Sequence, residues 1–173
     1  MGLYLHEGRV LGWELLSGPK IDQIVDGLAQ QIYHDYADTG RKLLVLYITN
    51  GAVILYAKVR QKLMDLGFPL EMIFDENLAV TTYRRGLKVG EPRILKEVGV
   101  RSLAKFDVLI VEDVLDSTAT MRAIISYLAY KEPRSLEICV LVRKRWAGGL
   151  RAKYTGAEVD KRFWAKRPKS VGF

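Results

Sequence analysis

Residues 108–120 read VLIVEDVLDSTAT: the carboxylates Glu112 and Asp113 follow an apolar run, Asp116 comes soon after, and Ser117, Thr118 and Thr120 supply hydroxyls. Two adjacent carboxylates at the end of a buried strand repel each other unless hydroxyls, a cation or basic side chains receive them. Hydroxyls and backbone amides converging on the start of a helix suit a phosphate monoester, because the helix dipole and its unpaired N–H groups favour negative charge. Ser117 or Thr118 could also serve simply as a helix cap. Capping leaves Glu112 and Asp113 unexplained, so the stretch is a candidate site for a polar, phosphorylated ligand.

The flanking sequence must build the frame that holds these groups. Ile21, Ile24, Val25, Leu28, Ile32 and Tyr33 recur at helical spacing and predict a helix over 20–37. KLLVLYIT (42–49) is a continuous apolar run of strand length, and GAVILYAKVRQKLMDLG (51–67) switches to helical periodicity with Gly67 as its stop. LEMIF (70–74) and LAVTTY (78–83) read as two strands, and RRGLKVGEPR (84–93), with two glycines and a proline, as a loop. FDVLIVED (106–113) and SLEICVLV (135–142) read as buried strands around a helix at 120–131, with a short peripheral strand at 154–160. Apolar strands alternating with helices predict an α/β domain: a mostly parallel twisted sheet flanked by helices. Ligands of such sheets settle at the carboxyl ends of the strands, which is where 112–120 falls.

Composition narrows the classes further. A chain of 173 residues is most simply one domain. Cys139 is the single cysteine, which excludes an internal disulfide and an all-cysteine metal site. No apolar run approaches the roughly 18 residues of a spanning helix, and no basic segment followed by an apolar one opens the chain, so a cytoplasmic protein without membrane attachment is expected. The net charge is +7, and residues 143–169 hold ten Lys and Arg against Glu158 and Asp160. Such a block attracts polyanions, whether nucleic acid or phosphorylated small molecules.

VLIVEDVLDSTAT resembles the signature of type I phosphoribosyltransferases, in which a buried strand ends in two acids and a hydroxyl-rich loop follows. Four further stretches resemble hypoxanthine-guanine phosphoribosyltransferases in the same order: YITNGAVILYAKV (47–59) their pyrophosphate loop, TTYRRGLKVGEPRI (81–94) their mobile catalytic loop, VLVRKR (140–145) the strand end carrying a base-reading lysine, and YTGAEVDKRFW (154–164) the segment whose aromatic covers the purine. The resemblance spans about residues 40–165. It implies one domain with its core at about 20–142 and a base-binding hood from N-terminal residues and about 143–173.

The implied reaction is phosphoribosyl transfer from phosphoribosyl pyrophosphate to a purine of the hypoxanthine, guanine or xanthine type. By the resemblance, Glu112 and Asp113 receive the ribose hydroxyls and hold magnesium indirectly through them or through water; Asp116, Ser117, Thr118, Ala119 and Thr120 hold the 5'-phosphate; and Asp116 exchanges the base proton. Asn50, Gly51, Thr82 and Tyr83 take the pyrophosphate. Lys144, or Arg143 if the register slips by one, donates to the base oxygen, and Phe163 or Trp164 stacks on the ring. Relatives are commonly dimers or tetramers, which implies a homo-oligomer.

Three departures from the family pattern stand out. Thr118 occupies the loop's usual glycine, so an unusual backbone dihedral there would be strained. Asn50-Gly51-Ala52 replaces Lys-Gly-Gly, and no acid follows Asp160 to read the exocyclic amine of guanine. A second reading, a regulator of this fold that binds RNA or a nucleotide effector with little transferase activity, draws on the basic C-terminal third. Transfer is the preferred reading, since phosphorylated substrates account for the same charge.

Overall fold

Apolar runs that are continuous rather than alternating need cover on both faces, and the computed structural model gives them that cover. It describes residues 3–6, 9–13, 18–49, 51–84, 87–116, 118–145 and 149–159. In chain order the elements are β1 (Leu3–His6), β2 (Arg9–Trp13), α1 (Gly18–Tyr36), β3 (Lys42–Ile48), α2 (Ala52–Asp65), β4 (Ile73–Arg84), β5 (Leu87–Lys96), β6 (Phe106–Leu115), α3 (Thr118–Ala129), β7 (Ser135–Lys144) and β8 (Tyr154–Val159). Six strands form one sheet in the order β5-β4-β3-β6-β7-β8. Every neighbouring pair is parallel except β4–β5. This is the mostly parallel α/β architecture expected from the sequence.

The core follows the apolar runs. Leu43 to Leu46 of β3, Val108 to Val111 of β6 and Ile138 to Val140 of β7 are all buried. Helices α1 and α2 lie against each other, α1 also on β8 and α2 on β6 and β3. Tyr47 of β3 stacks on Tyr56 of α2, with ring centroids 5.0 Å apart and planes 9° from parallel. Gly156 explains how closely α1 approaches β8. A Cβ there would overlap Ile24 of α1 and stand 2.6 Å from the Leu141 carbonyl. Asp35, near the end of α1, accepts the Tyr154 hydroxyl at 2.8 Å and pairs with Lys153 at 3.0 Å, which ties the helix to the edge strand.

Three expectations need correction. Residues 70–83 are one strand preceded by a single 3-10 turn at Leu70–Met72, not two strands. The polar interruption Asp75-Glu76-Asn77 is satisfied within the fold: Glu76 accepts the Gly99 N–H at 2.9 Å, and Lys96 bonds Asn77. Residues 87–93, expected as part of a loop, belong to β5, which pairs antiparallel with β4, because an edge strand tolerates glycine and Pro92 where a central one would not. Strand β6 also runs two residues past Asp113 and α3 opens two residues before Thr120, so both acids lie inside the strand. The antiparallel β1–β2 hairpin is an addition, since the sequence suggested no element there. Among the described residues, no helix is long and apolar enough to cross a membrane.

Candidate active site

The site arises from unequal strand lengths. Strand β3 leaves the ladder after the pair Tyr47↔Val111, whereas β6 continues beside β7 to Leu115↔Arg143. Glu112, Asp113 and Val114 are therefore only half buried, although Val111 before them is fully buried. The two acids cap the exposed backbone locally. The Asp113 N–H donates to Glu112 Oε1 at 3.0 Å, and the Val114 N–H to Asp113 Oδ1 at 2.8 Å.

The loop leaving β3 meets these acids. Gly51, the residue before α2, lies so close to Asp113 that a Cβ built on it would stand 2.5 Å from Oδ1, with Oδ2 and Cγ nearer still. Two stretches that the sequence assigned to pyrophosphate and ribose thus touch. Thr49 holds the start of that loop against β4, through N–H and Oγ1 bonds to the Leu78 carbonyl, each 3.0 Å.

Asp116 follows β6 directly and is joined to the end of β7. The Lys144 ammonium lies 2.7 Å from Asp116 Oδ2; the lysine side chain is 5% exposed and the aspartate side chain 50%. The lysine stem is thus buried and delivers its charged head to a carboxylate that still faces solvent. Side chains alternate between faces along a strand. Arg143 accordingly points elsewhere, with Nη1 2.6 Å from Glu158 Oε1 and Nε donating to the Leu150 carbonyl at 3.2 Å. Of the two basic candidates, Lys144 is the one joined to Asp116.

Thr118 opens α3 as a half-buried residue, with Ala119 exposed and Thr120 half-buried in the same turn. Its backbone is helical, and among the described residues the one non-glycine with positive φ is Glu132. The strain anticipated for a residue other than glycine at 118 is therefore not built in. Asn50, Ser117, Phe163 and Trp164 lie outside the described residues, as do the side chains of Thr82 and Tyr83.

Other chemistry-bearing groups lie away from this point. Burial pushes the Cys139 thiol up to about 12, which leaves it a packing residue rather than a nucleophile. A cavity of about 330 Å³ is lined by Arg143, Arg151, Ala152, Thr155 and Glu158, and it does not include the strand-end acids. Arg143 and Glu158 of that lining pair with each other.

Magnesium can be tested against this donor set. Among the described residues, no group of three or more His, Cys, Asp or Glu forms a metal cage. Glu112 and Asp113 present oxygens alone, half-buried at one strand end. Magnesium usually keeps several waters and takes one or two carboxylates plus substrate phosphates, so the pair fits that mode of binding.

Comparison with known proteins decides the family. Residues 13–169 match the model of the phosphoribosyl transferase domain. The chain belongs to that family. It is 34% identical over 156 residues to a hypoxanthine-guanine phosphoribosyltransferase from Mycobacterium avium, covering 86% of this chain and 73% of that one. It is 32% identical over 152 residues to a protein of the same name from Staphylococcus epidermidis, covering 86% and 80%. The solved structure of a hypoxanthine phosphoribosyltransferase from Staphylococcus aureus matches with a TM-score of 0.72 and 27% identity, over 85% of this chain and 77% of that one. The strand-end acids, Gly51 and the Asp116–Lys144 pair are thus features of a phosphoribosyltransferase fold.

Proposed function

We propose that this phosphoribosyltransferase moves the phosphoribosyl group of phosphoribosyl pyrophosphate onto a 6-oxopurine, yielding the nucleoside monophosphate and pyrophosphate. One observation carries the reading: the carboxylate of Asp116 and the ammonium of Lys144 stand side by side, 2.7 Å apart, at the ends of adjacent strands. A 6-oxopurine presents an oxygen acceptor next to an imidazole nitrogen along one edge. An ammonium donor beside a carboxylate acceptor complements that edge when the nitrogen carries its proton. Adenine would instead turn an amino group toward Lys144, which offers donors only.

In the transfer, the bond from the anomeric carbon to the pyrophosphate oxygen breaks, a bond to a base nitrogen forms, and the base's imidazole proton passes to Asp116. The sugar becomes cationic on the way, so the negative charge of Glu112 and Asp113 beside it lowers the barrier. Their oxygens accept the ribose hydroxyls, while Asp116 to Thr120 surround the 5'-phosphate at the start of α3, where backbone N–H groups favour a dianion. Asn50, Gly51, Thr82 and Tyr83 receive the pyrophosphate. Phe163 or Trp164 covers the base, and closure of the β4–β5 hairpin excludes water that would hydrolyse the activated sugar. Glu112 and Asp113 would hold magnesium through ribose hydroxyls or water; bound there, it supplies positive charge that offsets the departing pyrophosphate. We assign the work to the cytoplasm and to a homo-oligomer, on the strength of the family resemblance.

The test incubates the protein with magnesium, phosphoribosyl pyrophosphate and each purine or pyrimidine base in turn, and follows nucleotide by chromatography. Product with hypoxanthine or guanine, and little with adenine, is expected. No product with any base, together with salt-sensitive RNA binding, would overturn the transferase reading in favour of a regulator.

A further inference from the structure

Gly51 has no conformational need to be glycine. Its φ of −88° and ψ of −47° are ordinary right-handed helical values that any residue adopts, and it stands directly before α2. At this position, the N-cap of α2, glycine is favoured over alanine, a preference that does not depend on Asp113. The obstacle that does depend on Asp113 is space. A Cβ on Gly51 would fall inside the Asp113 carboxylate, 2.5 Å from Oδ1, when real Cβ contacts essentially never come under 3.0 Å.

A shift of the Asp113 carboxylate costs it a hydrogen bond, and a shift of the loop strains its anchors. The loop is pinned before Gly51 by the two Thr49 bonds to the Leu78 carbonyl, and after it by Ala52, which is fully buried at the first turn of α2. Asp113 in turn is oriented by the Val114 N–H, which donates to its Oδ1 at 2.8 Å. A methyl group at 51 would therefore push the carboxylate off that amide.

We infer that Gly51 is a positioning residue for Asp113: its missing side chain is the seat in which the Asp113 carboxylate rests between the β3 and β6 loops. The kinetic part of this inference rests on the transferase reading above, but its stability part does not. A direct role for Gly51, letting pyrophosphate approach the backbone, would also make alanine harmful, so a single variant cannot decide.

The deciding experiment is a double-mutant cycle of Gly51→Ala and Asp113→Ala, followed by thermal unfolding and by titration with phosphoribosyl pyrophosphate and magnesium. With Asp113 present, Gly51→Ala should lower Tm by roughly 2–10 °C. It should weaken phosphoribosyl pyrophosphate binding, and raise its KM, by roughly ten- to hundredfold, while KM for the base changes by less than about twofold. In the Asp113→Ala background the same substitution should lower Tm by no more than the roughly 1–4 °C of the changed helix cap, clearly less than in the parent, and alter affinity by less than about twofold. A backbone contact from residue 51 to pyrophosphate survives alanine, so equal losses in both backgrounds would overturn the inference and trace the need for glycine to the approach of pyrophosphate or to the fold, not to Asp113. Should Gly51→Ala alone fail to fold, recovery of folding in the double variant supports the inference, and failure of both overturns it. If the unmodified protein forms no nucleotide, the transferase reading falls while the unfolding cycle still decides the contact.

Discussion

Asp116→Asn separates the chemical role of this side chain from its structural one. The substitution keeps the shape, removes the charge, and leaves an amide oxygen able to accept from Lys144. A positioned general base is worth about 10²- to 10⁴-fold, so kcat should fall by that factor. The stability cost can be sized from the pair itself. Lys144 is 5% exposed and Asp116 50%, so one end of the ion pair is desolvated and the other is largely screened by water. Weakening rather than deleting the partner of a buried ammonium should then cost about 1–2 kcal/mol. For a chain of this length that is a Tm shift of roughly 2–8 °C. Conversion of hypoxanthine followed by absorbance, calorimetric binding of phosphoribosyl pyrophosphate and differential scanning calorimetry measure the three quantities separately. Affinity for phosphoribosyl pyrophosphate should stay within about threefold, since the 5'-phosphate is held by backbone and hydroxyls. A kcat within about threefold of the parent would refute the proton-transfer role, and an affinity loss as large as the kcat loss would make Asp116 a substrate-binding group instead.

Lys144→Ala should raise KM for the purine by roughly tenfold or more, and Arg143→Ala should leave it within about threefold, because Arg143 is committed to Glu158 and the Leu150 carbonyl; equal effects in steady-state kinetics would contradict the assignment of faces. The Lys153 hydrogen bond, with those from Tyr154 and His34, holds the Asp35 carboxyl at about 2, below its ordinary 3.8. A lowered carboxyl contributes stability above its ordinary value and loses it as the folded form takes up a proton, so Tm should drop between about pH 4 and pH 2 more steeply in the parent than in Asp35→Asn, and parallel curves would sink the idea. Asp107 is 1% exposed and receives the Ser135 hydroxyl at 2.7 Å, with Arg41 4.0 Å from its other oxygen. Ser135→Ala should therefore cost about 1–3 kcal/mol in urea denaturation, and a loss under about 0.5 kcal/mol would show that the carboxylate finds another donor.

Where local pattern and tertiary role coincide, the elements could be read directly. The runs in β3, β6 and β7 are apolar at nearly every position because both faces of a central parallel strand are covered, and no turn chemistry competes with them. Edge positions obey other constraints. Strand β5 contains Gly90 and Pro92 and looks like a loop, yet pairing with β4 along one side is all that an edge requires. Strand β4 looked broken at Asp75-Glu76-Asn77 because partners for two of these polar residues come from far along the chain, Gly99 for Glu76 and Lys96 for Asn77. Periodicity in a short window contains no information about such partners. The same limit hid the extension of β6 to Leu115, since Glu112 and Asp113 satisfy backbone amides that a strand end would otherwise expose.

The candidate site was legible as residue types and only partly as relations. Glu112, Asp113 and Asp116 could be named from one sequence, because carboxylates at a strand end are costly and stand out, whereas Lys144 was named through the family resemblance, with Arg143 as its alternative. Their pairing could not be named, because it depends on which strands end together. Asp116 meets Lys144 because β6 and β7 are parallel neighbours whose last pair is Leu115↔Arg143, and that register brings the next residue of each strand to the same edge. Gly51 is the sharper case. In sequence it is one glycine among 15, beside a helix whose start it could simply relieve. Its helical φ removes the conformational explanation, and the Asp113 carboxylate occupying its side-chain space supplies the steric one. Thr118 reverses the logic: a β-branched residue in place of the family glycine looked like a defect, but a helical backbone at the first position of α3 accepts it without strain. The glycine under steric constraint in this site is therefore the one in the loop after β3, where the Asp113 carboxylate fills the side-chain space, and not the one already replaced in the loop after β6, where only backbone freedom was at stake.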